Sequence, residues 1–249
     1  HSKAACSACW VKACSTSRLP MNWASASARS RVASVKAKPV SCSDTAAKGF
    51  ASESSASRIA IWSELSELSQ EYSQKSLNDI LETLHAFGQS CRLGGSFFEE
   101  SFNILKKQNS FSEDEIRKSL LLIPEIFNID NLKVRIKAEL RSDVINDFMK
   151  IDGSLAKMKA FPIGIITHVT AGNVFLSAID SLVMGLITKN LNIVKLSSSN
   201  QDFPMFLAQE LRKFDVKKVV ANKFAMLTWK GGDEQIENII KSRSQLIIA

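Results

Sequence analysis

Several things are scarce in this sequence, and each scarcity excludes something. No apolar run reaches the roughly 18 uncharged residues that a helical membrane span requires. The ten glycines never fall into the G-x-G-x-x-G pattern of an ordinary dinucleotide fold. Cysteine is nearly confined to one end: Cys6, Cys9, Cys14 and Cys42 precede residue 60, and Cys91 alone follows it. With Cys91 alone in the body nothing suggests a disulfide framework, and a reducing compartment is expected. Cys6-x-x-Cys9 has no second pair, and the nearest downstream histidine is His85, so no metal site is expected. Acidic residues are almost missing from residues 1–60, which hold nine Lys and Arg against two Asp and Glu. Residues 61–249 hold 23 of each sign, so the formal charge of +7 belongs wholly to the leader. A neutral body argues against a folded nucleic-acid surface.

What is present divides the 249 residues into three stretches. Residues 1–58 are rich in Ser and Ala and carry no apolar periodicity. Too little surface can be buried there to offset chain entropy, and the segment is expected to be a disordered basic leader. Its Arg- and Ser-rich, acid-poor composition resembles an organelle transit peptide. A start at His1 rather than Met favours a non-native leader on a fragment.

Residues 59–150 read as an α-helical region. Ile61, Leu65, Leu68 and Tyr72 form one stripe, and Leu77, Ile80, Leu81, Leu84 and Phe87 another. Ser96-x-x-Glu99 and Ser112-x-x-Glu115 have capping-box form. Leu132 to Leu140 is ambiguous, because Leu132, Val134 and Ile136 alternate as in a strand while 132, 136 and 140 also fit a helix. His85 falls among apolar helix positions as a packed or rim residue. Nothing in this stretch states a chemistry.

Residues 151–249 alternate short β-branched runs with helices. Strands are expected at Ile163–Val169, Leu191–Leu196, Lys223–Trp229 and Gln245–Ala249. Helices are expected at Val174–Ile187, from Pro204 to about Lys213, and at Asp233–Lys241. Such alternation predicts an α/β fold with a doubly wound parallel sheet. Ligands bind such sheets at the carboxyl ends of the strands, so the loops after Val169, Leu196 and Trp229 form the candidate site.

Three ordered motifs in this half carry a resemblance. They are Phe161-Pro162-Ile163-Gly164-Ile165-Ile166-Thr167-His168-Val169-Thr170-Ala171-Gly172-Asn173-Val174, then Lys189-Asn190-Leu191-Asn192-Ile193-Val194-Lys195-Leu196-Ser197-Ser198, and finally Trp229-Lys230-Gly231-Gly232-Asp233-Glu234. Together they resemble the fatty acyl-CoA reductases of the LuxC type, strongly over 155–249 and more weakly back to about residue 60. Those reductases belong to the aldehyde dehydrogenase superfamily, whose members hold nicotinamide cofactors without G-x-G-x-x-G. The resemblance therefore implies a sheet of aldehyde dehydrogenase type and accounts for the missing fingerprint.

Residue by residue, the resemblance implies that Lys195 lies beside the adenosine ribose, followed by Ser197 and Ser198. Relatives that prefer NAD commonly place a Glu three residues after the Lys. Ser198 stands there instead and removes a carboxylate that would repel a 2′-phosphate, so NADPH is the expected cofactor. The serines would also serve to cap the following helix. Val169, Thr170, Ala171 and Gly172 are expected along the nicotinamide side, and Gly231 and Gly232 in the third loop. Asn173 corresponds to an asparagine that donates to the thioester oxygen, an oxyanion-hole role; its plainer use is as a turn former after Gly172. His168 reads as structural.

Departures from the family pattern are Ala171 and Phe175 in place of prolines and Lys189 in place of a helix-ending glycine, which a left-handed backbone would accommodate. Cys91 lies ahead of the sheet on a predicted helix and is no candidate nucleophile. The resemblance places the acyl-accepting cysteine beyond Ala249, so the fragment alone is expected to be inactive.

The implied reaction transfers the acyl group of a fatty acyl-CoA or acyl-carrier protein to a cysteine thiolate, and hydride from NADPH then releases a long-chain aldehyde. The rival expectation is a non-catalytic nucleotide-binding or protein-interaction module built on the same fold. Further expectations are a homo-oligomer or a complex with acyl-transfer enzymes, no nucleic-acid partner, no membrane span, and a cytoplasmic location, or an organelle if the leader is a transit peptide. A light-emitting system is one setting for such a reductase.

Overall fold

A computed structural model describes residues 55–108, 111–140, 144–151, 153–172 and 176–249. Most of the expected leader, residues 1–54, lies outside them. The first helix, α1 (Ser55–Ser73), begins inside the stretch assigned to the leader. Its last turn carries Tyr72, a buried ring whose hydroxyl donates to the Leu186 carbonyl at 3.0 Å.

α2 (Leu77–Ser90) is capped by Ser76 Oγ, which accepts from the Asn78 amide. All five apolar positions of its stripe are buried, as the spacing predicts. α3 (Ser96–Gln108) and α4 (Glu113–Leu120) follow. The Ser112–Glu115 capping box forms, whereas the one expected at Ser96 does not. There the Gly95 carbonyl accepts from Phe98 and Glu99, so Gly95 takes the N-cap place and Ser96 falls one residue inside.

After the short α5 (Ile123–Ile126), the ambiguous segment resolves as a helix, α6 (Ile129–Leu140). Leu132 and Ile136 are buried and Val134 is 67% exposed, the four-residue spacing of a helix face. At the centre of this layer the Phe87 ring meets Phe97, Phe127 and Phe214 edge-on, with centroids 5.3–5.9 Å apart.

A two-stranded antiparallel hairpin, β1 (Met149–Lys150) and β2 (Lys157–Met158), leads into the main sheet. That sheet contains β3 (Ile165–Val169), β4 (Leu191–Lys195), β5 (Phe224–Leu227) and β6 (Leu246–Ile248), all parallel, in the order β5-β4-β3-β6. Between them run α7 (Ser177–Ile187), α8 (Asp202–Phe214) and α9 (Glu234–Arg243). Right-handed crossovers put α7 and α8 on one face, where α7 packs on α2 and α8 on α3. The return from β5 to β6 sends α9 to the other. This is the expected doubly wound α/β sheet, and one apolar core runs from Tyr72 in the helical layer to Met226 in the sheet.

Boundaries differ at a few places for local reasons. β3 starts at Ile165 because Gly164, at φ +125°, turns the chain just before it. Asp233 is the N-cap of α9 rather than its first residue, accepting from the Ile236 amide at 3.2 Å. Lys189 takes φ +60°, the left-handed conformation its place after α7 demands.

Candidate functional site

The strand order reverses at β3. Its chain continues through α7 to β4 on one side, while β6 arrives on the other. In such sheets the ligand crevice lies at the carboxyl ends of the strands beside this reversal. Val169 to Gly172, Leu196 to Asn200 and Thr228 to Asp233 all emerge there.

The first two loops interlock. The Lys195 carbonyl accepts from the Thr170 amide at 3.1 Å and from the Thr170 hydroxyl at 2.9 Å. Gly172 then passes so close to the second loop that a Cβ on it would overlap Ser199 Oγ and lie 2.6 Å from Ser197 Oγ. A larger residue there would force both hydroxyls to turn away. Ser197 and Ser199 share a hydrogen bond of 2.9 Å, and the Ser197 carbonyl accepts from Asn200. Ser198 faces solvent. Of the expected site residues, Val169, Thr170, Ala171, Gly172, Lys195, Ser197 and Ser198 are thus brought to two neighbouring loops. Asn173 lies outside the described residues.

The third loop joins through side chains. The Lys195 ammonium stands over the Trp229 ring, 5.3 Å from its centroid, and the Leu196 amide donates to Leu227 at 2.8 Å. Gly231 and Gly232 are exposed, with open space where a Cβ would stand. The Gly232 amide donates to Glu237 Oε1 at 3.0 Å and Lys241 to Oε2 at 3.2 Å. The Gly232 donor first, then Lys241, and more weakly Lys195, hold the Glu237 carboxyl below the usual range. Trp229 Nε1 is buried and has no hydrogen-bond partner.

Sequence reasoning passed over Trp229 and Glu237. Trp229 stood in a quoted motif, and its position one turn from two glycines was the available signal. It also passed over Asn190 and Asn192, which work at the opposite, amino-terminal end of the strands. Asn190 Oδ1 accepts from the amides of Ile163 at 2.7 Å and Gly164 at 3.0 Å. Asn192 Oδ1 meets His168 Nε2 at 3.0 Å, while Ser181 Oγ meets Nδ1 at 2.7 Å. Burial holds His168 below its ordinary pKa, so the neutral ring donates from Nε2 to Asn192 and accepts from Ser181. His168 is structural, as expected.

The other chemistry-bearing side chains are occupied elsewhere. Cys91 Sγ donates to the Phe87 carbonyl, and burial pushes the thiol up to about 12, far from a nucleophile's range. His85 Nδ1 accepts from the Ile129 amide at the start of α6, a rim role. Among the described residues no cluster of three His, Cys, Asp or Glu side chains converges on a metal position, and no helix is long and apolar enough to cross a membrane. A cavity of about 520 Å³, lined by Ser66, Gln70, Pro162, Arg243 and Gln245 among others, opens at the amino-terminal end of β3, away from these loops.

Known proteins align with this geometry. Residues 72–249 match the family model described as acyl-CoA reductase (LuxC). A long-chain acyl-protein thioester reductase of Vibrio harveyi is 30% identical over 115 residues, 46% of this chain and 24% of that protein. One from Photorhabdus luminescens is 25% identical over 183 residues, 72% of this chain and 38% of that protein. The chain thus spans well under half the length of these relatives. A solved structure of the glyceraldehyde-3-phosphate dehydrogenase GapN from Methanocaldococcus jannaschii, complexed with NADP, superposes with a TM-score of 0.56 at 16% identity. The match covers 86% of this chain and 42% of that one, so the two share a fold of aldehyde dehydrogenase type. With motifs, sheet order and family model in agreement over most of its length, the chain belongs to the LuxC family of acyl-CoA reductases.

Proposed function

We propose that residues 151–249 form the nicotinamide-cofactor part of a reductase that converts long-chain fatty acyl thioesters, carried on coenzyme A or a protein, to aldehydes. The helices of 59–150 serve as the platform beneath it. The observation that carries this reading is the loop cluster at the strand reversal, where a lysine, two hydroxyl-bearing residues and exposed glycine backbone come together with no carboxylate at position 198.

NADPH fits these residues. Lys195 would face the adenosine ribose and its 2′-phosphate, with Ser197 and Ser198 as donors to phosphate oxygens. Gly172 and the backbone of Thr170 and Ala171 would line the nicotinamide side, and Gly231 and Gly232 would let the third loop approach closely. Bound there, the cofactor would supply hydride to the acyl carbon. Asn173 would donate its amide hydrogen to the thioester oxygen as charge develops on it. The acyl-accepting cysteine is proposed to lie in the part of the relatives that this chain does not cover.

Titration calorimetry on the 249-residue chain tests the cofactor reading. Binding of NADPH tighter than NADH, weakened by Lys195→Ala more for NADPH than for NADH, is the expected result. No binding of either nucleotide at millimolar concentration would overturn it. In a version extended to the relatives' length, Asn173→Ala should lower acyl-CoA turnover roughly 10²–10³-fold with little change in cofactor affinity; unchanged turnover would reduce Asn173 to a turn residue.

A further inference from the structure

A lysine that reads a phosphate must first be held in place. Four rotatable bonds separate its ammonium from the strand, and a ligand that has to order them loses affinity in doing so. Among the described residues the Lys195 ammonium makes no hydrogen bond to protein, which leaves its three donors for a ligand. What it does meet is the face of Trp229, with 5.3 Å from nitrogen to ring centroid. That is within the reach of a cation–π attraction.

The indole is not placed by its polar edge. Nε1 is buried without a partner, although a buried tryptophan held for its hydrogen bond would have one. The face, therefore, is what the chain uses. β4 and β5 pair in register from Asn192 with Phe224 to Lys195 with Leu227, so the two side chains project from adjacent strand ends.

We propose that Trp229 is the positioning residue for Lys195, its ring face fixing the ammonium where an adenosine 2′-phosphate would lie and thereby setting the discrimination between phosphorylated and bare ribose. This rests on the reading of Lys195 as the ribose-side cation. Glu237 complements the arrangement. Turned toward Gly232 and Lys241, it leaves the ammonium to the ring.

The test uses the full chain and two probes, adenosine 2′,5′-bisphosphate and adenosine 5′-monophosphate, titrated calorimetrically. The quantity read is the ratio of their affinities. Trp229→Leu should lower the bisphosphate affinity about three- to tenfold, the scale of one side chain's ordering cost, and shift the monophosphate little. Trp229→Phe keeps an aromatic face and should stay within about twofold of wild type. In a Lys195→Ala background, Trp229→Leu should change nothing further, because the lysine it positions is gone. Thermal denaturation of each variant identifies any that fail to fold, and Trp229→Met, which fills the site without a ring face, then carries the comparison through the same cycle.

A wild-type ratio in Trp229→Leu, alongside a collapsed ratio in Lys195→Ala, would overturn the positioning role and leave the cofactor reading standing. An equal loss from Trp229→Leu with and without Lys195 would overturn it too. A Lys195→Ala ratio equal to wild type would remove the reading of Lys195 itself.

Discussion

The two ends of the parallel sheet treat backbone donors differently, although each holds a buried side-chain nitrogen without a hydrogen-bond partner, Lys223 Nζ at one and Trp229 Nε1 at the other. At the amino-terminal end, backbone donors are met by side-chain acceptors, some local and some far away in the chain. Asn190 serves Ile163 and Gly164, Gln245 Oε1 accepts from Ile165 at 2.7 Å, and the Asp215 carboxylate accepts from Val219, Val220 and Ala221 at 2.7–3.0 Å. At the carboxyl-terminal end a lysine rests on a ring, an indole donor has no partner, and Ser198 and two glycines face open space. A buried unmet donor costs stability and a met one does not. The bonded amides at one end therefore hold the fold, while the Lys195 ammonium and the exposed Ser198 at the other keep donors in hand for something else.

Mutation can break that contrast. The largest effect is expected from Asp215→Ala, which strands three buried amides at once. A loss of about 3–5 kcal/mol in urea denaturation follows from the cost of removing a buried charged acceptor. A loss below about 1 kcal/mol would mean that other acceptors take over and the amino end is less dependent on side chains than claimed. Asn190→Ala strands two amides and should cost about 2–4 kcal/mol by the same assay. The matching carboxyl-end change, Ser198→Ala, should leave the midpoint within about 0.5 kcal/mol.

The next effect is one of pH. His168 is held below its ordinary pKa by burial, so the unfolded chain binds a proton more readily than the folded one. Stability from this group is complete above the ordinary histidine range, near 6.5, and falls as pH drops through it toward the lower folded value. The slope is at most about 1.4 kcal/mol per pH unit. His168→Gln should flatten the difference in stability between pH 7 and pH 5; an unaltered pH dependence would assign the slope to other groups.

The smallest effect is reserved for the open end. Ser198→Glu should reduce NADPH affinity about three- to tenfold relative to NADH, with no change in the denaturation midpoint. An unmoved ratio would show that position 198 does not face the ribose.

Which parts were legible in the sequence follows from the range of the interactions. The helices and strands were readable because periodicity and turn residues are local. So was the clustering of the three candidate loops at one end of the sheet, because a parallel sheet places its loops by topology alone. The ambiguity at Leu132–Leu140 required burial to settle it, since Val134 fits a strand pattern until its exposure is seen. Gly95 stands at the cap in place of Ser96, its carbonyl accepting from the amides of Phe98 and Glu99. Asn190 acts on residues 26 and 27 positions earlier, and Gln245 on one 80 away. No window of sequence contains such pairs. The pairing of Lys195 with Trp229 was hidden likewise, each lying in a different motif. Asn173 lies outside the described residues.

The paired hydrogen bonds from Thr170 to one carbonyl have a consequence in time. Because the Lys195 oxygen receives both the amide and the hydroxyl of Thr170, the ladder between β3 and β4 extends one residue past the last paired position. The Thr170 amide should then exchange its hydrogen slowly, on the timescale of opening the sheet. The amides of Gly231 and Ser198, which face solvent, should exchange in seconds. The first two loops are thus joined into one hydrogen-bonded unit at Lys195.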